Sequence, residues 1–462
     1  MSAPSTPSPA DATPPARADL PTRADPLTRE SLEPYWLPFT PNRQFKDQPK
    51  LFVAAEGMYY TTADGRQVLD AMAGLWCVNA GHAAPRIVKA IQEQAARLDY
   101  VSSFQMSHPL AFELAGRIAR LAPPGLDHVF FANSGSEAVD SALKIARAYH
   151  RARGDGGRTR LIGRAKGYHG MGFGGLSVAG IARHRRDFGP LLADVAHLPH
   201  TLNLEHNAFS RGRPAWGAHL ADELEALAQI HDGSTIAAVI VEPVTGSGGV
   251  LPPPQGYLER LRALCDRHGI LLILDEVITG FGRLGAPFGS SILGVVPDII
   301  TCAKGMTNGA VPMGGVIVSD KVYDAFMAGP PGAVELFHGY TYSGHPLACA
   351  AGIAAIATYE EEGLFERAAK IAGPFEDAAH ALRGAPHVID IRNIGLLAAI
   401  ELEPRRREPG ARAVEAARDC FEQGVLIRSA GDALVLSPPL IIGEGEIDRV
   451  FTTIRAALSR LR

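Results

Sequence analysis

Three stretches of this sequence place reactive side chains where apolar runs stop. "ILLILDE" drives straight into Asp275 and Glu276, "DIITCA" ends on Lys304, and "HVFFA" leads into Asn133-Ser134-Gly135-Ser136. Continuous apolar runs of this length read as strands buried on both faces, so a carboxylate pair at the tip of one needs a reason. A buried carboxylate is costly unless it is paired. A lysine at a strand tip inside a pocket loses its proton through desolvation and becomes a nucleophilic amine. Small residues at a helix start leave backbone N–H groups open, and together with the positive end of the helix dipole these hold a phosphate. Read alone, each residue has a plainer alternative. Ser134 serves as a helix cap, Lys304 as a solvated loop residue, and Asp275 as an N-cap or one half of an internal ion pair.

As a set on one edge of one sheet, these residues suit pyridoxal phosphate, which needs three things: an amine to join its aldehyde, a carboxylate to keep its pyridine nitrogen protonated, and a phosphate anchor. The pyridinium N–H then becomes the partner that makes a buried Asp275 affordable. "GRAKGYHGMGFGG" adds Tyr168 and His169 after another strand. An aromatic ring there can stack on the cofactor, although an isolated Tyr serves equally well as a core or rim residue.

The elements that must position this set are legible as alternation. Between about residues 125 and 320, "HVFFA", "TRLIGRA", "AAVIVEP", "ILLILDE", "DIITCA" and "GGVIVS" alternate with helical patterns such as Glu137 to Arg151 and Tyr257 to His268. Strands alternating with helices predict a mostly parallel α/β sheet, whose ligands sit beyond the carboxyl ends of the strands. The flanking segments carry helices and short strands of their own, "AAIEL" and "ALVLS" among them. We expect residues 31–90 and 345–462 to form one small α+β domain around a large domain over 91–344, after a disordered Pro-, Ala- and Ser-rich tail over 1–30.

Composition narrows the function further. The chain has 462 residues, 46% hydrophobic and 20% charged, with a formal net charge of -4. That is long enough for two domains and lacks the basic footprint of a nucleic-acid binder, so the expected partners include neither nucleic acid nor membrane. Five scattered cysteines with no CxxC argue against a metal cage and point to a reducing compartment, the cytoplasm.

The motifs "NSGSEA", "GYHG", "VEPV", "LDEVITGFGRLG", "AKGMTNGAVPMGGV" and "HGYTYSGHPLACAAG" together resemble the class III aminotransferases, which have the type I pyridoxal-phosphate fold: a mostly parallel seven-stranded sheet in a large domain, plus a small α+β domain. Within that family "GLWCVNAGH", "LPHTL", "NAFSRG" and "FHGYTYSGHP" are most similar to the ω-amino acid:pyruvate branch, and above all to β-alanine:pyruvate transaminases. The resemblance implies that Lys304 carries the cofactor and shuttles the substrate proton. It also implies that Asp275 bonds the pyridine nitrogen, Val277 packs behind the ring and Tyr168 stacks on its open face. Ser134, Gly135 and Ser136 would hold the phosphate, Thr341 would reach it from a neighbouring subunit, and Glu242 would orient the cofactor. A homodimer or homotetramer with shared sites follows from that arrangement.

For substrate, the resemblance makes Trp76 and Phe104 pocket walls and Arg428 the mobile carboxylate binder. Read as single residues, they would be a core anchor, core filler and a surface ion pair. The implied reaction moves an amino group from an ω-amino acid or primary amine to pyruvate, giving alanine and a semialdehyde or ketone. Two departures from the β-alanine branch, Val435 where it has a glutamine and Met106 where it usually has a tyrosine, leave amine:pyruvate transamination of an arylalkyl amine, putrescine or taurine as the alternative. An intramolecular aminomutase and a non-enzymatic binding protein are the remaining rivals.

Overall fold

A computed structural model describes residues 28–461, and the chain falls into two compact units, residues 1–52 and 53–462. Most of the expected tail, through residue 27, lies outside the described residues; a short helix, Arg29–Leu32, begins inside the segment assigned to it, with Thr28 as its N-cap.

Fifteen strands make three sheets among the described residues: β1 (Phe52–Glu56), β2 (Tyr59–Thr62), β3 (Gln67–Asp70), β4 (His128–Ala132), β5 (Arg160–Arg164), β6 (Val195–Leu198), β7 (Ile236–Val241), β8 (Leu271–Asp275), β9 (Ile299–Ala303), β10 (Gly314–Val318), β11 (Val388–Ile394), β12 (Leu397–Leu402), β13 (Val425–Leu426), β14 (Arg428–Ala430) and β15 (Ala433–Leu436). The central sheet has seven strands in the order β4-β10-β9-β8-β7-β5-β6. Only β10 runs against its neighbours. Of the other two sheets, β1-β2-β3-β13 draws on both ends of the chain, since β3 pairs in parallel with β13 through Leu69 and Val425, and β11-β12-β15-β14 comes from the C-terminal part alone.

The apolar runs behave as doubly buried strands must. Every residue of β7, β8, β9 and β10 is buried. Their side chains divide with period two: Leu271 and Ile273 pack with helix Gly135–Ala152 on one face, Leu272 and Leu274 with helix Tyr257–His268 on the other. Burying each such leucine contributes roughly 2 kcal/mol. Of the seven central strands, β6 alone has no counterpart in the sequence reading. "VAHL" is four residues long, only its last residue is fully buried, and it lies at the sheet edge, so its apolar signal is weak.

This topology decides where the chemistry sits. The carboxyl ends of β4, β9, β8, β7 and β5 share one edge, which brings Ala132, Ala303, Asp275, Val241 and Arg164 to the same side. At that edge Gly314 passes so close to the Ser134 carbonyl that a Cβ would lie 2.2 Å from its oxygen. Only glycine lets β10 start there. No described helix is long and apolar enough to cross a membrane.

Candidate active site

Helix Gly135–Ala152 starts the way its sequence directs. Ser134 takes an extended conformation and its side chain accepts the Glu137 N–H at 3.2 Å, while the Glu137 carboxylate accepts the Asn133 N–H at 2.8 Å. This reciprocal capping fixes the direction from which the first turn faces the sheet edge. Gly135 is held against Val277, whose Cγ1 would lie 3.0 Å from a Cβ at that position.

Three strands along the sheet from β4, Asp275 is 5% exposed, and its carboxylate is held by three partners. It accepts the Val277 N–H at 3.2 Å and the Thr301 hydroxyl at 3.1 Å, and pairs with Nδ1 of His169 at 2.8 Å. Thr301 stands directly opposite it in the β8–β9 register. Glu276, its neighbour, points the other way and accepts the Ser290 N–H at 2.9 Å and the Thr279 hydroxyl at 2.8 Å. The two carboxylates that end one strand therefore have separate jobs: Glu276 fastens the following loop, and Asp275 faces the cavity.

Lys304 follows β9 with a φ of 51°, a backbone conformation that costs a non-glycine residue about 1 kcal/mol or more. Its side chain reaches the cavity, and Nζ lies 4.9 Å from the centre of the Trp76 ring. Desolvation holds its amine below the usual value of 10.5, an effect partly opposed by Cys77, Asp275 and Glu242. Glu242 spans the next loop: it accepts the Tyr168 N–H at 2.9 Å and the Gly246 N–H at 2.8 Å. Burial pushes the Glu242 carboxyl up and does the same to the Tyr168 phenol.

One cavity of about 300 Å³ collects Ser134, Gly135, Ser136, Tyr168, Glu242, Asp275, Val277 and Lys304, eight of the residues singled out from sequence. Trp76 lies beside it, 3% exposed, between Lys304 and Arg428, whose Cζ is 5.8 Å from the ring centre. Arg428 is open to solvent, yet neighbouring atoms desolvate it and lower its pKa. Thr341 and Phe104 are not brought to the cavity lining. Both are exposed, and their segments touch each other: the Tyr100 hydroxyl donates to the Thr341 carbonyl at 3.0 Å, and Phe104 lies against Gly339.

His169 is the residue that reading the motifs left without a role. It is 1% exposed, holds Asp275 through Nδ1, and its Nε2 has no hydrogen-bond partner. The "GYHG" motif named it, but nothing in one dimension shows that a residue after β5 touches the tip of β8.

The donor set fits a flat, phosphorylated pyridine aldehyde. A capped helix start, an amine whose charged form burial disfavours, a carboxylate fixed from behind and an unpartnered buried histidine nitrogen face or flank the same space. The family model for class III aminotransferases matches residues 42–458. The chain belongs to the class III aminotransferases. Among its relatives in this family, an omega-aminotransferase of Caulobacter vibrioides is 60% identical over 93% of this chain and 98% of its own length. A beta-alanine–pyruvate aminotransferase of Pseudomonas aeruginosa is 50% identical over 94% and 97%. An amine transaminase from an uncultivated Pseudomonas species, solved in its PLP-bound form, superposes with a TM-score of 0.84 at 37% identity, covering 92% of this chain and 98% of that one. As a class III aminotransferase this chain is an enzyme with an α/β fold, and its seven-stranded central sheet is the scaffold that the motifs implied.

Proposed function

We propose that this aminotransferase uses pyridoxal phosphate to move an amino group from an ω-amino acid or a primary amine to pyruvate, giving alanine and a semialdehyde or ketone. The observation that carries this reading is the placement of Lys304, Asp275 and the Ser134–Ser136 helix start around one cavity. The names of the relatives from Caulobacter and Pseudomonas support the substrate classes.

In the proposed assignment Ser134, Gly135 and Ser136 hold the phosphate, Asp275 meets the pyridine nitrogen, Val277 and Tyr168 flank the ring, and Lys304 takes the aldehyde. When bound, the cofactor supplies an electron sink that makes a proton on the substrate carbon acidic. The protein does the rest. His169 and Thr301 hold the Asp275 carboxylate aimed. The Lys304 amine, whose protonated form desolvation disfavours, accepts the substrate proton and returns it. Trp76 walls the substrate side and leaves Arg428 free to receive a carboxylate, where a guanidinium binds two oxygens at once.

A second reading of the donor rests on a specific contact. Val435 lies directly opposite Arg428 in the β14–β15 register and is wholly buried in the cluster that contains Trp76. An apolar residue there favours a larger, less polar amine over β-alanine.

The proposed assembly is a homodimer or homotetramer in which Thr341 serves a neighbouring subunit, supported by its exposure here. The proposed division of the chain remains 31–90 with 345–462 against 91–344, supported by the β3–β13 pairing, and the proposed location is the cytoplasm, supported by five free cysteines.

The test is the visible absorption of the holoenzyme while β-alanine, 1-phenylethylamine or putrescine is added singly, followed by pyruvate. The proposed reaction expects the bound-cofactor band to fall with a donor and return with pyruvate. Loss with the arylalkyl amine or the diamine alone selects the second reading, and a band that no donor changes refutes both.

A further inference from the structure

The segment that carries Trp76 and leads to Cys77 on the cavity wall is an unusual piece of backbone. Ala73, Gly74 and Trp76 have φ values of 47°, 66° and 61°. Two of these are not glycine, and a strained turn of this kind persists only where its surroundings over-determine it. The turn follows β3, which ends on Asp70, a carboxylate with 0% exposure. Asp70 Oδ1 accepts the Met72 N–H at 2.8 Å, and Oδ2 accepts the Gly74 N–H at 2.6 Å. Oδ2 also pairs with Nε2 of His82 at 2.8 Å, and the His82 ring is held by Tyr60 at a centroid distance of 4.2 Å. The backbone of His82 is fixed in turn by two hydrogen bonds with Gly57, of 2.8 and 3.0 Å. Asp70 does not line the cavity, whereas Cys77 does, and Trp76 beside it places its ring 4.9 Å from the Lys304 Nζ.

We propose that Asp70, seated by His82, is a positioning residue for substrate recognition: its carboxylate locks the Ala73–Trp76 turn so that the Trp76 ring stands between Lys304 and Arg428. This rests on the transaminase reading above for its kinetic consequence and on geometry alone for its structural one. The charge matters because every donor aimed at Asp70 is an N–H. An amide in its place presents one oxygen and one NH2 group, and the NH2 must face a donor. The turn then loses a charge-assisted hydrogen bond and gains a repulsive contact.

The experiment uses the full-length, cofactor-loaded protein with Trp36 and Trp216 replaced by Phe, which leaves Trp76 as the sole tryptophan. Asp70→Asn is expected to shift Trp76 emission to the red and to raise KM for donor and acceptor about tenfold, the loss of one charge-assisted hydrogen bond. The expected kcat and bound-cofactor absorbance stay within about twofold of the parent. Where Asp70→Asn does not fold, His82→Leu and His82→Gln decide the matter. Leucine should reproduce the red shift and the KM increase, and glutamine, which donates a hydrogen bond from a similar place, should reverse both. Unchanged emission and KM in Asp70→Asn or His82→Leu overturn the proposal, as does a fall in kcat and cofactor content at constant KM. If the parent protein transaminates no donor, the functional reading fails while Trp76 emission still tests the lock.

Discussion

Asp275 and Lys304 show how the chemistry of this site is made from ordinary side chains by burial. Asp275 is held from behind by Val277, Thr301 and His169, so a positive group brought against it from the cavity meets a carboxylate that needs no reorganisation. Lys304 is perturbed the other way, its ammonium form disfavoured by desolvation. That shift has a thermodynamic signature in the cofactor-free protein. Between the lowered folded pKa and the unfolded value of 10.5, the unfolded chain binds the extra proton, so stability rises with pH across that window. A Lys304→Met variant lacks this dependence. The difference in unfolding free energy between parent and variant apoproteins should therefore move in favour of the parent by about 1.4 kcal/mol per pH unit within the window. Urea titrations from pH 7 to 10 would reveal it, and a difference that stays flat over the whole range would show that the folded lysine titrates normally.

At the scale of elements, the site depends on where a helix begins. Ser134 caps helix Gly135–Ala152, and Gly135 brings its first turn against Val277 with no Cβ in between. Alanine at position 135 is a good helix residue, so the apoprotein should lose less than about 1 kcal/mol. Its methyl group must nevertheless push Val277 toward the cavity, since the contact is 3.0 Å. Gly135→Ala should weaken cofactor binding about tenfold, a cost of roughly 1.4 kcal/mol, read from the absorbance retained at increasing dilution. Equal affinity in the two proteins would show that the wall yields without narrowing the site. The same element was legible in the sequence, because a run of apolar residues at helical spacing follows an N-cap. The edge strand β6 was not, because four half-buried residues carry too little alternation to stand out.

At the scale of the whole molecule, one face of the chain carries exposed aromatic and aliphatic groups. Phe337 is 94% exposed, Val334 63%, Tyr342 56% and Phe104 54%. The Tyr100 and Tyr342 rings meet at 5.9 Å, and Phe104 approaches Gly339, so the residues 100–106 and 337–344 form one patch. An apolar patch of this kind marks an interaction site, and Thr341 lies within it. If the proposed assembly holds, sedimentation velocity should find the protein at twice the chain mass or an even multiple, and Phe337→Asp should shift it toward the single chain. Parent protein that sediments as a single chain at micromolar concentration would remove the basis for a shared site.

Sequence alone placed Asp275 and Lys304 at the tips of buried strands on one sheet edge. Apolar runs that end on Asp275 and Lys304 bury themselves for a hydrophobic reason, and parallel strands with helical crossovers leave their carboxyl ends together. It also made the family legible, because motifs such as "LDEVITGFGRLG" and "NSGSEA" stand in the chain as unbroken strings. Tertiary structure decided the partnerships between distant segments. His169 reaches Asp275 across 106 positions, and β3 meets β13 through the pairing of Leu69 with Val425. The seating of Asp70 against His82, with a strained turn between them, is likewise invisible to periodicity. Hydrophobic patterning dictates which face a residue shows, but a hydrogen bond between two faces exists only once packing has brought them within 3 Å.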